Sequence, residues 1–236
     1  MIVEFCGLAG TGKSTAVNLT FTYLKEKGYK VKKISNLPFV NLTLNKYKAL
    51  KILYAIMIAF KNIMLRPMLA ILILRYSVFN INGSLKYKII WLLTSLQYHI
   101  NWVVKRDKLI KMHKHSASSV IYILDGSPLN LLIEFDDGRI FNKLRRIIFP
   151  PYESKLASIC VVFTIDSKNS IFKRVNARNR KLEQYLYSDK KLNFFYDNYQ
   201  NLLDKFEKKN CPNVKYESFN MNNLLNDLEK YLSKYI

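Results

Sequence analysis

The feature that most constrains this chain is the segment at residues 7–14. It reads Gly-Leu-Ala-Gly-Thr-Gly-Lys-Ser and fits the pattern G-x-x-x-x-G-K-[ST] at every fixed position. Residues 2–6 read as a short buried strand, and residues 14–27 carry apolar side chains at helical spacing. Glycines between a strand and a helix let backbone N–H groups point at phosphate oxygens. A turn without a ligand is the alternative, but the flanking elements favour a nucleoside triphosphate site.

We call residues 7–14 the glycine-rich loop, and its positions predict separate roles. Lys13 is expected to reach the β- and γ-phosphates of ATP, and the Ser14 hydroxyl is expected to ligate Mg²⁺. The loop backbone and the start of the helix are expected to surround the triphosphate. The positions expected to contact it are Gly7, Ala9, Gly10, Thr11, Gly12, Lys13, Ser14 and Thr15.

Length and composition predict a single domain over residues 1–236. Half of the 236 residues are hydrophobic, which is enough for one sizeable core. Cys6, Cys160 and Cys211 are too scattered for a disulfide framework or a zinc site. The chain starts on its first core strand, with no charged and apolar leader before it. We therefore expect a cytoplasmic protein.

The charge of the chain raises the question of nucleic-acid binding. Lys and Arg number 38 against 17 Asp and Glu, for a formal net charge of +21. The lysines are spread along the chain rather than gathered into one basic arm, and phosphate ligands need some positive charge in any case. A nucleic-acid partner is therefore disfavoured, and a nucleic-acid-associated NTPase rests on charge alone.

Residues from about 42 to 117 form a long apolar region. Lys61, Arg66, Pro67 and Arg75 interrupt it, so no run reaches the roughly 18 uncharged apolar residues that a spanning helix needs. We favour two or three helices packed on a sheet and forming a pocket for an acceptor substrate. The alternative is an apolar surface that lies on a membrane and is flanked by lysines.

A second candidate site follows the apolar strand at residues 119–124, which ends in Asp125-Gly126-Ser127-Pro128. A carboxylate at the carboxyl end of a parallel strand points into the crevice where open α/β sheets bind ligands. Asp125 could organise Mg²⁺ or accept a proton from an attacking hydroxyl group. Alternatively, it only caps the helix that begins at Pro128.

A basic segment follows the apolar strand at residues 159–165. Arg174 and Arg178 are four residues apart and share a helix face. Guanidinium groups facing a transferring phosphoryl group would offset its charge, and Arg180 is expected to help bind the triphosphate. The alternative is a basic surface helix. The cluster comprises Lys173, Arg174, Arg178, Arg180 and Lys181.

The order of these elements resembles the nucleoside and nucleoside-monophosphate kinases of the P-loop class, thymidylate kinase especially. The resemblance covers residues 1–35 and 120–236 and is most specific at the glycine-rich loop. It implies an α/β, three-layer P-loop kinase-type fold with a five-stranded parallel sheet, an enlarged helical insertion and an arginine-bearing lid at residues 173–181. The wording of the loop is also similar to small kinase-like proteins of bacterial surface-glycan gene clusters.

Two departures from thymidylate kinases concern the acceptor. Those enzymes usually carry acidic residues where this chain has Cys6 and Ala9, and an arginine where it has Gly126. Without these groups we expect little or no phosphorylation of dTMP. The acceptor remains open between a nucleotide, a sugar and a lipid-linked sugar, held by residues 42–117.

The sequence therefore predicts an ATP-dependent kinase that uses Mg²⁺. The catalytic residues expected are Lys13, Asp125, Arg174 and Arg178, with Ser14 and Asp125 at the metal. An NTP-binding regulatory ATPase is the rival interpretation. The sequence does not determine the oligomeric state.

Overall fold

A computed structural model describes most of the chain. The ranges that it describes are 1–34, 48–80, 85–115, 120–134, 138–154, 159–178, 189–209, 211–217 and 221–233. Five parallel strands lie in the order β2-β3-β1-β4-β5. They are β1 (Ile2–Cys6), β2 (Val31–Ile34), β3 (Ile121–Leu124), β4 (Ile159–Ile165) and β5 (Asn213–Glu217). The five-stranded parallel sheet predicted from the sequence is thus confirmed.

Ten helices lie within the described ranges. They are α1 (Lys13–Glu26), α2 (Lys48–Leu65), α3 (Pro67–Asn80), α4 (Leu85–His115), α5 (Asn130–Glu134), α6 (Gly138–Ile148), α7 (Pro150–Glu153), α8 (Lys168–Ala177), α9 (Asp189–Lys208) and α10 (Met221–Leu232). Helices α2 to α4 form the enlarged helical insertion, although residues 42–47, 81–84 and 116–117 lie outside the described ranges. None of the described helices is both long and apolar enough to cross a membrane.

Successive side chains of each strand point to opposite faces of the sheet, and each face packs into a separate hydrophobic core. In β1, the side chains of Val3 and Phe5 pack with α1 and α10, while Ile2 and Cys6 pack on the opposite face with residues of α4, α5 and α9. A parallel sheet covered by helices on both faces gives three layers. This is the α/β, P-loop kinase-type fold expected from the sequence.

The central position of β1 determines where a ligand can enter. Strand β1 pairs with β3 on one side and β4 on the other. The chain leaves β1 toward β2 but leaves β3 toward β4, so neighbouring strands send their connections in opposite directions. Such a reversal opens a crevice at the carboxyl ends of the strands. The residues after Cys6 and after Leu124 flank this crevice.

A carboxylate is buried in the core on one face of the sheet. Glu4 in β1 is fully buried, and its Oε2 accepts hydrogen bonds from the Ser127 hydroxyl at 2.8 Å and from the Tyr152 hydroxyl at 2.7 Å. The buried guanidinium of Arg106 lies over the Tyr152 ring and donates to the Ile148 carbonyl at 2.9 Å. Burial raises the pKa of Glu4, and the positive charge of Arg106 opposes that rise. The network joins β1 to α4, α6 and α7.

We expect Arg106→Met to lower the free energy of unfolding by about 3 kcal/mol, because it leaves Glu4 without its buried cation. The pKa of Glu4 then rises further above that of the unfolded chain. The native state consequently holds a proton that the unfolded state releases, so the loss grows as the pH rises from about 5 to about 8. Urea denaturation at the two pH values measures this effect.

The double variant Glu4→Gln/Arg106→Met is the matched control. It removes both charges, so it should recover part of the stability and abolish the extra pH dependence. Equal losses for Arg106→Met at both pH values would contradict the coupling between the two groups.

Candidate functional site

The glycine-rich loop is shaped by backbone conformations that favour glycine. Gly10 and Gly12 have φ angles of 90° and 80°, in the left-handed region. Helix α1 begins at Lys13 with Gly12 as its N-cap residue, and its first turn carries no acidic side chain. The first N–H groups of a helix have no partner within it and carry partial positive charge. The start of α1 can therefore receive an anion.

The first glycine of the loop is required by packing. A Cβ atom at Gly7 would stand 2.0 Å from Oγ1 of Thr164 in β4 and 2.8 Å from Oγ1 of Thr11. The hydroxyl oxygens of Thr11 and Thr164 are 2.7 Å apart, and the Thr11 hydroxyl donates to the Leu8 carbonyl at 2.9 Å. Both threonines are buried. The loop is thereby closed against β4.

Two further buried side chains hold the backbone at the end of β1. Oδ1 of Asn130, at the start of α5, accepts from the Gly7 N–H and the Cys6 thiol, each at 3.3 Å. The Tyr199 hydroxyl in α9 donates to the Thr164 carbonyl at 2.9 Å and also lies 3.3 Å from the Cys6 carbonyl. Sequence reasoning missed both residues because neither lies near the loop in sequence. The loop is therefore positioned before any ligand binds.

Lys13 folds back over the loop. Its Nζ donates to the Gly7 carbonyl at 3.1 Å, and the side chain is half-buried. The residues after it, Ser14 and Thr15, are exposed on the first turn of α1. The ammonium group therefore lies at the mouth of the loop, where a phosphate oxygen can replace the carbonyl as its acceptor.

Asp125 stands at the carboxyl end of β3. Its N–H donates to the Ile34 carbonyl at 3.1 Å, which extends the pairing of β2 and β3 by one bond. Burial raises the pKa of its half-buried carboxyl group, and the positive charges of Lys13 and Lys33 oppose the rise. The structure thus brings the Asp125 carboxylate within electrostatic reach of the loop lysine.

The turn after Asp125 is capped by another residue. Oγ of Ser127 accepts from the Leu129 N–H at 3.1 Å, and α5 begins only at Asn130. Ser127 therefore has the capping role that the sequence left open for Asp125. The Asp125 side chain is available for the ligand crevice.

Gly126 is packed against an aromatic ring from the helical insertion. A Cβ atom at this position would lie 2.6 Å from both Nε1 and Cε2 of Trp102 in α4. The Trp102 side chain is fully buried, so it cannot swing away into solvent. An arginine beside Asp125, as thymidylate kinases have, is excluded here by the indole ring.

Among the described residues of the basic segment, Arg174 reaches the glycine-rich loop. Nη1 of Arg174 donates to the Gly10 carbonyl at 3.0 Å and lies 2.8 Å from Oδ2 of Asp166, just beyond β4. The Asp166 carboxylate is mostly buried and holds the guanidinium group against the loop. Arg178 lies just past the end of α8 with an exposed side chain, while Arg180 falls outside the described residues.

Asp166 is a site residue that the sequence reasoning did not single out. The available signal was its place directly after a buried strand, the same signal that identified Asp125. Parallel strands end at one edge of the sheet, so both carboxylates belong to that edge.

The oxygen donors of the site suit Mg²⁺. Among the described residues, no three His, Cys, Asp or Glu side chains cluster around one point as a metal cage. Mg²⁺ at phosphate sites usually keeps several waters and takes one or two protein oxygens besides those of the phosphates. The exposed hydroxyl of Ser14 and the carboxylate of Asp125 are donors of that kind.

Comparison with known proteins identifies the fold. No family model and no curated protein matches this sequence. A solved structure of deoxyadenosine kinase from M. mycoides, with products dCMP and a flexible dCDP bound, is similar with a TM-score of 0.50 and 15% identity. The match covers 99% of this chain and 100% of that chain. The likeness shows a P-loop kinase-type fold.

Other structures of the same enzyme give similar values. The form with bound dATP has a TM-score of 0.49 and 15% identity, covering 99% of each chain. The form with bound dCTP has a TM-score of 0.49 and 16% identity, covering 99% of this chain and 100% of that chain. The structure with a TM-score of 0.50 is of a deoxyadenosine kinase, so this likeness does not single out thymidylate kinase among enzymes of this fold.

We expect Gly126→Ala to lower the free energy of unfolding by at least about 2 kcal/mol, because the new methyl group overlaps the Trp102 ring. Gly28→Ala is the matched control. Gly126 and Gly28 both have a positive φ, of 156° and 84°. A Cβ atom at Gly28 meets nothing within 4 Å, so backbone strain alone should cost about 1 kcal/mol there.

Adding Trp102→Phe to Gly126→Ala removes part of the overlapping ring and should restore some of the stability. Urea denaturation measures all the variants. If Gly126→Ala cost no more than Gly28→Ala, the ring would not be what requires glycine.

Proposed function

We propose that this chain is an ATP-dependent kinase that transfers a phosphoryl group to a hydroxyl group of a deoxyribonucleoside. The observation that carries the proposal is a pair of cations on the carbonyl groups of the glycine-rich loop. Lys13 donates to Gly7, and Arg174 donates to Gly10. Both reach the turn whose N–H groups and helix start suit phosphate oxygens.

In this mechanism the loop backbone and Lys13 bind the triphosphate. Arg174, held by Asp166, offsets the charge that develops on the transferring group. Arg178 and Arg180 would contribute further positive charge to binding of the phosphates. Mg²⁺, when held by Ser14 and Asp125, would neutralise charge on the phosphate oxygens.

Asp125 also suits the role of a general base. Burial raises its pKa, and the positive charges of Lys13 and Lys33 oppose that rise, which suits a carboxyl group that accepts a proton. It ends the strand next to β1, beside the crevice where the acceptor would enter. There it would accept the proton of the attacking hydroxyl group.

The environment of Gly126 favours an acceptor without a phosphate group. Trp102 occupies the space beside Gly126, so this position cannot carry an arginine that would bind the phosphate of a nucleotide acceptor. A nucleoside presents a bare hydroxyl group instead. The structural likeness to a deoxyadenosine kinase supports the same substrate class. In this proposal residues 42–117 form the acceptor side of a single domain.

We expect Lys13→Ala to lower ATP affinity at least tenfold, roughly, and to abolish turnover, because it removes a charge-assisted phosphate contact. The exposed Lys25 of the same helix provides the control variant Lys25→Ala, which should bind ATP normally. Calorimetric titration measures affinity, and thermal unfolding checks that each variant is folded. Normal ATP binding by Lys13→Ala would refute the proposed site.

We expect a screen with labelled ATP to detect phosphorylation of deoxyribonucleosides and little or none of dTMP, because Gly126 supplies no phosphate contact. Ribonucleosides, sugars and glycolipids complete the acceptor set. Efficient conversion of dTMP, or preference for a sugar, would overturn the substrate class. ATP hydrolysis that ignores every acceptor would instead indicate a regulatory ATPase.

A further inference from the structure

Helices α2 and α3, which we call the rod, follow one another with only Arg66 between them and a proline at the junction. The Arg66 N–H donates to the Asn62 carbonyl at 2.9 Å, and the Ala70 N–H donates to the Arg66 carbonyl at 3.0 Å. Pro67, the first residue of α3, therefore interrupts the hydrogen-bond ladder without ending the helical path. Residues four apart across the junction stay on the same side.

The outer side of this rod is apolar. Six exposed side chains follow one another at intervals of three, four or seven residues, which places them on one face. This set, the rod stripe, consists of Met57, Phe60, Met64, Met68, Ile71 and Val78. The first four are 62%, 64%, 69% and 65% exposed, values more usual for charged side chains. A continuous exposed apolar stripe marks an interaction surface.

Charge indicates what covers the rod stripe. No Asp or Glu occurs between Glu26 and Asp107, whereas 11 Lys and 3 Arg do, which makes 14 cations. Two of these, Lys61 and Arg75, are exposed on the rod itself. Residues 48–80 carry no carboxylate of their own, and a surface that combines apolar groups with cations is complementary to a bilayer with anionic headgroups.

A second copy of the chain fits this surface less well. A two-fold interface brings the same patch of both copies together, so the cations of α2 and α3 would meet one another, and the one carboxylate that contacts the rod, Asp107 of α4, is already paired with Arg66 among the described residues. Such like-charge contacts oppose association.

We propose that the rod stripe docks the protein on an anionic lipid surface. The rod lies in the plane of the interface, with Phe60 and the methionines at the boundary between headgroups and acyl chains. Lys61 and Arg75 contact the lipid phosphates. The helix lies on the membrane rather than crossing it, in keeping with the finding for the described helices. This docking is independent of the kinase proposal.

The test is flotation of the full chain with phosphatidylcholine vesicles made with or without phosphatidylglycerol. Wild-type protein should bind only the anionic vesicles, and added salt should weaken the binding. Met57→Glu/Phe60→Glu should bind about tenfold less, because it removes two apolar anchors. Met112→Glu makes the same kind of change at an exposed methionine outside the stripe and should bind almost normally. Thermal unfolding confirms that both variants are folded.

A variant without the two cations of the rod distinguishes local contacts with lipid from general attraction by the net charge of the protein. Lys61→Gln/Arg75→Gln lowers the formal charge by only two units, yet should weaken binding by about thirtyfold if both cations touch headgroups, at about 1 kcal/mol for each cation. Equal binding by wild type and the stripe variant would mean that bulk charge alone attracts the vesicles and would overturn the proposal. So would equal binding to neutral vesicles, no binding, or a dimer in sedimentation that the stripe variant abolishes.

Discussion

The close approach of the glycine-rich loop to strand β4 is the contact on which the site depends. With no side chain at Gly7, the loop backbone lies against Thr164, and the buried hydroxyl groups of Thr11 and Thr164 meet there. A buried polar contact stabilises the fold only when each of its polar groups has a hydrogen-bond partner. Asn130 and Tyr199 complete it by bonding the backbone at the end of β1. The loop is thus preorganised by residues from β4, α5 and α9, which reduces the ordering that a ligand has to impose.

The residues around Asp125 connect the crevice at the carboxyl ends of the strands to the stability of the fold. Ser127 belongs both to the turn after β3 and to the buried network of Glu4 and Arg106. Trp102 and Arg106 lie one turn apart on α4, so the same helix excludes a side chain at Gly126 and carries the cation beneath the sheet. A substitution at Gly126 or Ser127 therefore also changes the packing of the core.

The outer and inner sides of the helical insertion differ in solvent exposure. Inward-facing residues such as Leu69, Ile73 and Ile100 are fully buried, while the rod stripe leaves its methionines and Phe60 in solvent. Composition alone does not distinguish the two sides, because both are apolar. The exposed fraction of each side chain distinguishes the packed core from the surface that a membrane would cover. The neighbouring cations, Lys61 and Arg75, favour a membrane with anionic lipids.

The sequence by itself determined the loop, the strands and the fold class. The motif at residues 7–14 is contiguous, so spacing alone identifies it, and buried strands such as β4 are continuous apolar runs. The tertiary structure decided which distant residues meet. Asp166 reaches Arg174, Asn130 reaches Gly7, and Trp102 fills the space beside Gly126. Such contacts depend on how helices cross a sheet, and local spacing does not show which side chains of different elements will meet.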